Sequence, residues 1–164
     1  MDNIVLIGMP GSGKSTVGVV LAKILGMDFI DTDLLIQKRS GCRLQQILDQ
    51  YGLERFLQQE SAAICSVNSA HSVIATGGSA VLCPQAIRHL QRLGKVLYLQ
   101  MSFPGIEARI HNLTSRGIAM KPAQTLKDVY MQREPLYSAC ADKTVCCDGK
   151  SMSEVLDSIL AELA

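Results

Sequence analysis

The stretch "GMPGSGKST", Gly8–Thr16, follows the short apolar run "NIVLI" (3–7) and precedes Val17, Val20, Leu21, Ile24 and Leu25, which recur at helical spacing until Gly26. Gly8, Gly13, Lys14 and Ser15 fit G-x-x-x-x-G-K-[ST], set between a strand and a helix as that pattern requires. Glycines let backbone N–H groups curl round phosphate oxygens without Cβ interference, and the helix N-terminus adds partial positive charge. Gly11, Ser12, Gly13, Lys14, Ser15 and Thr16 are therefore expected to cradle a nucleotide's phosphates. Lys14 is expected to reach the β- and γ-phosphates and the Ser15 hydroxyl to ligate Mg²⁺.

Outward from this loop, strand and helix signals alternate. Strands are expected over 27–31, 72–76, 95–100 and 143–147. Helices are expected over 14–25, over two short pieces broken at Ser40-Gly41 and Gly52, and over 53–68, 84–94, 104–113 and 125–140. Ser151 and Glu154 form a capping box that opens a last helix. The alternation predicts an α/β fold with a parallel sheet and helices on both faces. Residues 1–164 read as one domain, and "NLTSRGIAMKPAQ" (112–124) as its mobile segment.

Composition narrows the classes of partner. Net charge is +1 with Lys and Arg scattered, unlike the basic stripe of a nucleic-acid binder or a membrane-surface patch. No apolar run approaches the roughly 20 residues that span a bilayer, and the four-residue run Ile4–Ile7 behind Asp2 is a poor secretory signal. The six cysteines form no CxxC pair and the three histidines are far apart, so free thiols in a reducing cytoplasm are expected, and no metal cluster. A monomer acting on a small molecule, with neither nucleic acid nor membrane as partner, is the expectation.

A GTPase would carry an N/T-K-x-D base-reading segment, which is absent, and the chain is short for a motor or transporter ATPase. A small kinase is favoured. "IDTDLL" places Asp31 and Asp33 at the end of the second strand, where i and i+2 share a face. One carboxylate can then orient the waters of Mg²⁺ while the other meets an acceptor hydroxyl.

Four segments, "GMPGSGKST", "IDTD", "ATGGSAV" (75–81) and "REPLY" (133–137), together with "GLERFLQQES", resemble the shikimate kinases in order and spacing over essentially the whole chain. The resemblance implies a five-stranded parallel sheet in order 2-3-1-4-5, ATP with Mg²⁺ as donor, and shikimate or a similar hydroxylated metabolite as acceptor. It implies that Asp31 serves the Mg²⁺ side through water, and that Asp33 binds the acceptor hydroxyls and takes the proton. Gly77 and Gly78 would offer backbone N–H groups, and Arg133 would pair with the acceptor's carboxylate. Arg109 would lie against adenine, Arg116 would reach the transferring phosphoryl group, and 112–124 would be the lid.

Three positions depart from the family pattern. Leu57 stands where the family has an arginine that grips the carboxylate, Ser79 replaces the third glycine after the third strand, and "RGIA" (116–119) replaces Arg-Pro-Leu-Leu in the lid. All three fall on the acceptor and lid side. A kinase of the same scaffold for another alcohol and a non-catalytic nucleotide-binding regulator stay open as alternatives.

Overall fold

The computed structural model describes residues 2–111 and 116–164. Its elements run β1 (Asn3–Ile7), α1 (Lys14–Leu25), β2 (Asp28–Asp31), α2 (Thr32–Ser40), α3 (Leu44–Cys65), β3 (Ser72–Ala75), a 3₁₀ turn (Ala80–Leu82), α4 (Pro84–Leu93), β4 (Gly94–Gln100), α5 (Phe103–Arg109), α6 (Leu126–Cys140), β5 (Lys143–Cys146) and α7 (Met152–Leu163). The five strands form one sheet in the order β2-β3-β1-β4-β5. Every neighbouring pair is parallel. The expected sheet order is therefore observed.

β1 lies at the centre because all five of its residues are apolar enough, or well enough bonded, to be buried on both faces. Its one polar residue, Asn3, donates to the carbonyls of Ser69 and Leu93 and accepts from the N–H of Ser72, tying the strand to the segments beside β3 and β4. Gly18 in α1 lets that helix sit close on the sheet, since a Cβ there would come 2.7 Å from the Phe29 ring. The main core fills both sides of the sheet, while Ile36, Ile47, Phe56, Ala63 and Ala119 form a second, smaller core between α2, α3 and the segment before α6.

In an open parallel sheet, ligands gather beyond the carboxyl ends of the strands. Here β1 runs into the Gly-rich loop, β2 ends at Asp31, and β3, paired Asp31 to Ala75, runs into Gly77-Gly78.

The structure corrects several boundaries. Asp33 is not on the second strand: β2 stops at Asp31, whose carboxylate accepts from the N–H groups of Asp33 and Leu34 and so N-caps α2. Asp33 sits in the first helical turn, and the shared strand face does not exist. The break expected at Gly52 is observed: two helical pieces, counted together as α3, meet at a kink where Gly52 takes φ 79°. α5 ends at Arg109 rather than at 113, and the 3₁₀ turn was not anticipated. Of the expected lid, 112–115 lie outside the described residues. Residues 116–119 are seated on α3: Gly117 donates to Gln45, and Ile118 and Ala119 are buried.

Candidate active site

The cradle is built by backbone conformation. Gly11 and Gly13 take φ of 84° and 96°, left-handed values that a side chain would disfavour. Val17 N–H bonds the Gly13 carbonyl as α1 begins, and Ser12 N–H bonds the Met9 carbonyl to close the turn. Lys14 Nζ donates to the carbonyls of Gly8 and Met9, each at 2.8 Å. An ammonium has three N–H donors, so one remains for a phosphate oxygen. Burial pulls the Lys14 pKa down to about 8, against the opposing pull of Asp33 and Asp31. Ser12 Oγ is buried without a partner among the described residues.

Ser15 Oγ donates to Asp31 Oδ2 at 2.7 Å. The two residues assigned to Mg²⁺, one from α1 and one from β2, thus meet. Arg109, at the end of α5, donates to the Gly11 carbonyl at 3.4 Å and lines a cavity of about 190 Å³ with Gly13, Thr16 and Lys150.

On the other side of the cradle a cavity of about 160 Å³ brings Lys14, Ser15 and Thr16 together with Asp33, Phe56, Gly77–Ser79, Arg116–Ala119 and Arg133. Burial, and next the charge of Asp31, raise the Asp33 pKa to about 6, partly opposed by Lys14. Arg133 is 1% exposed; its Nη2 donates to the Ala119 carbonyl, while Nε and Nη1 have no partner among the described residues. One helical turn along α6, Tyr137 donates its hydroxyl to the Gly78 carbonyl, so the "REPLY" helix holds both the segment at Ala119 and the post-β3 loop.

Gly77 plays a different part from the one expected. Its N–H already donates to Thr32 Oγ1 at 3.3 Å, so it is not a free donor for an acceptor. What it supplies is room: a Cβ there would come 2.6 Å from Asp33 Oδ1 and 2.5 Å from Glu60 Oε1. Gly78 likewise lets the loop pass Pro10, whose Cδ would lie 2.6 Å from a Cβ.

Sequence reasoning missed Glu60 and the side chain of Ser79. Both are buried, and Ser79 Oγ donates to Glu60 Oε2 at 2.6 Å. A signal was present: Phe56, Glu60, Ala63 and Ile64 share the buried stripe of α3, so a charged residue occupies a core position. Leu57, the sharpest departure, faces a neighbouring groove with Cys65 and Cys83 and packs on the smaller core.

A Gly-rich phosphate loop on the central strand of a 2-3-1-4-5 sheet, facing a walled pocket with a carboxylate and a buried guanidinium, defines a P-loop small-molecule kinase. The family model "Shikimate kinase" matches residues 10–164. Shikimate kinases of Thermodesulfovibrio yellowstonii and Salinispora arenicola are 35% and 38% identical, over 99% and 98% of this chain and 95% and 96% of theirs. The shikimate kinase of Acinetobacter baumannii, solved in complex with shikimate, superposes with a TM-score of 0.90 at 28% identity, covering 99% of this chain and 93% of that one. That of Aquifex aeolicus gives 0.84 at 30% identity, covering 98% and 95%. The chain belongs to the shikimate kinase family, whose members are ATP-dependent small-molecule kinases. No helix among the described residues is long and apolar enough to cross a membrane.

Proposed function

We propose that the protein transfers the γ-phosphoryl group of ATP to a hydroxyl of shikimate or of a similar small hydroxylated carboxylic acid. Arg133 carries this reading: a buried guanidinium with two unpartnered nitrogens, in the same cavity as Lys14 and Asp33, calls for an anion at that wall. The Acinetobacter relative was solved with shikimate, a carboxylate bearing ring hydroxyls.

Gly11–Thr16 hold the phosphates, with the third N–H of Lys14 on the β/γ oxygens, and Arg109 flanks the adenine. The pair Ser15 and Asp31 presents hard oxygens of the kind Mg²⁺ takes and would hold it, and the ion would supply charge neutralisation to the nucleotide's phosphates. Asp33, with its pKa raised to about 6, orients the acceptor hydroxyl and takes its proton. Gly77 and Gly78 shape the acceptor wall, and Arg116 brings positive charge to the transferring group. Residues 112–124 act as the lid over a single-domain enzyme. A cytoplasmic monomer remains the expectation, and the six free cysteines suit that compartment.

A pure nucleotide binder has no use for Asp33 or Arg133. Acceptor-dependent ADP release, measured across a panel of small hydroxy acids including shikimate, tests the reading. Saturable release with a hydroxylated carboxylate is expected. Tight nucleotide binding without acceptor-dependent turnover would leave only the non-catalytic alternative.

A further inference from the structure

The mechanism above leaves one buried carboxyl unused. Glu60 is 2% exposed, its Oε2 accepts from Ser79 Oγ at 2.6 Å, and its Oε1 has no partner among the described residues. That free oxygen and Asp33 Oδ1 converge on Gly77, lying 2.5 and 2.6 Å from where its Cβ would be. The charged groups facing Glu60 are Asp33 from α2, Arg133 from α6 and Lys14 from α1. Its own helix supplies Leu57 rather than a cation three residues earlier. Ser79 is the side chain that hydrogen-bonds it among the described residues.

A buried carboxyl with only one oxygen satisfied is costly unless the other meets a partner. The unpartnered oxygen lies beside the carboxylate assigned to the acceptor, next to glycines that line the cavity. With Glu60 protonated, one hydroxyl can accept from its carboxyl O–H while donating to Asp33.

We propose that Ser79 is a positioning residue for acceptor recognition: by bonding Glu60 Oε2 it aims Oε1, beside Asp33, at a hydroxyl of a polyhydroxylated acceptor. This rests on the function proposed above and adds to it the residue pair that reads the acceptor. Burial pushes the Glu60 pKa up to about 7 and the Ser79 hydrogen bond pulls it down. Removing the serine hydroxyl therefore raises that pKa and frees the carboxyl to turn.

The test compares wild type with Ser79→Ala and with Ser79→Gly, the residue of the family pattern. Both variants should raise KM for the acceptor roughly 10-fold, the order of one positioned hydrogen bond. kcat and KM for ATP should hold within about twofold, because the loss is shared by ground and transition states. In the ligand-free protein, the ¹³C-NMR titration of the Glu60 carboxyl should move to higher pH in both variants, a readout independent of turnover. Unchanged acceptor KM, an equal loss in KM for ATP, or an unmoved Glu60 titration would overturn the proposal. A wild-type protein that phosphorylates no hydroxylated carboxylate would overturn the proposed function instead, and the titration would still decide whether Ser79 controls Glu60.

Discussion

The donor side and the acceptor side of this cavity are built on different terms. The donor side comes from nine consecutive residues, Gly8–Thr16, and works through backbone N–H groups held by left-handed glycines. The acceptor side gathers Asp33 from α2, Phe56 and Glu60 from α3, Gly77–Ser79 after β3, Arg116–Ala119 before α6 and Arg133 from α6. Backbone geometry leaves little freedom for substitution, and the phosphate pattern is unaltered. Side-chain recognition can be rebuilt residue by residue: Ser79 and Gly117 line the cavity there, whereas Leu57 faces the neighbouring groove. Gly117 illustrates it: φ is 71°, and a Cβ would come 2.5 Å from Leu44 Cβ. A proline, fixed near −65°, could not hold this backbone.

If the donor side is as conventional as its geometry, Lys14→Ala should lower turnover by at least about 10³, the order of one lost transition-state charge contact. Steady-state rates with a folded variant check this. Undiminished turnover with a proven Mg²⁺ requirement would break the donor half of the contrast.

On the acceptor side, Arg133 is the one buried guanidinium of the cavity among the described residues. Arg133→Met should cost about 2–5 kcal/mol in acceptor kcat/KM, roughly 30- to 4,000-fold, with nucleotide affinity little changed. Isothermal titration with nucleotide and kinetics with acceptor separate the two effects. Equal losses for both ligands would show that Arg133 supports the fold rather than the acceptor.

A smaller effect sharpens the acceptor side through stability. Glu60 has its folded pKa raised from 4.5 to about 7, chiefly by burial. A carboxyl with a raised folded pKa contributes stability that is full below its unfolded pKa and is lost as pH rises through the folded value. At pH 5 the buried side chain is neutral and Glu60→Gln should change stability little. By pH 8 the wild type must bury a charge that the variant lacks. The stability difference should then shift in favour of Glu60→Gln by about 3 kcal/mol between those pH values. Urea melts at both pH values measure it, and a pH-independent difference would mean that Glu60 titrates normally.

The same contrast explains what could be read from the chain alone. The Gly-rich loop carries its physics locally, so Lys14, Ser15 and the cradle were legible, as was the parallel alternation of strands and helices. Asp33 was assigned to a strand because the i, i+2 rule was applied past Asp31, whose carboxylate had already started a helix. Glu60 and the Ser79 side chain went unread because their meaning lies in a contact between residues 19 positions apart. No local pattern marks a pair of that kind. Gly77 is expected to offer its N–H to an acceptor, but that N–H donates to Thr32 Oγ1, a contact 45 positions away that no local pattern marks.

The donor half is that of a conventional kinase, and Leu57 stands where the resemblance to the family implies a carboxylate-binding arginine. The direct measurement is kcat/KM for shikimate at saturating MgATP, in the wild type and in Leu57→Arg. The expected result is saturable, shikimate-dependent ADP release with wild-type kcat/KM below about 10⁴ M⁻¹s⁻¹, the lower end of ordinary enzymes. The loss should lie mainly in KM, and Leu57→Arg should raise the value. A wild-type value at or above that level, or an arginine variant no better than wild type, would contradict the claim and show that Arg133 with the lid suffices to hold the carboxylate.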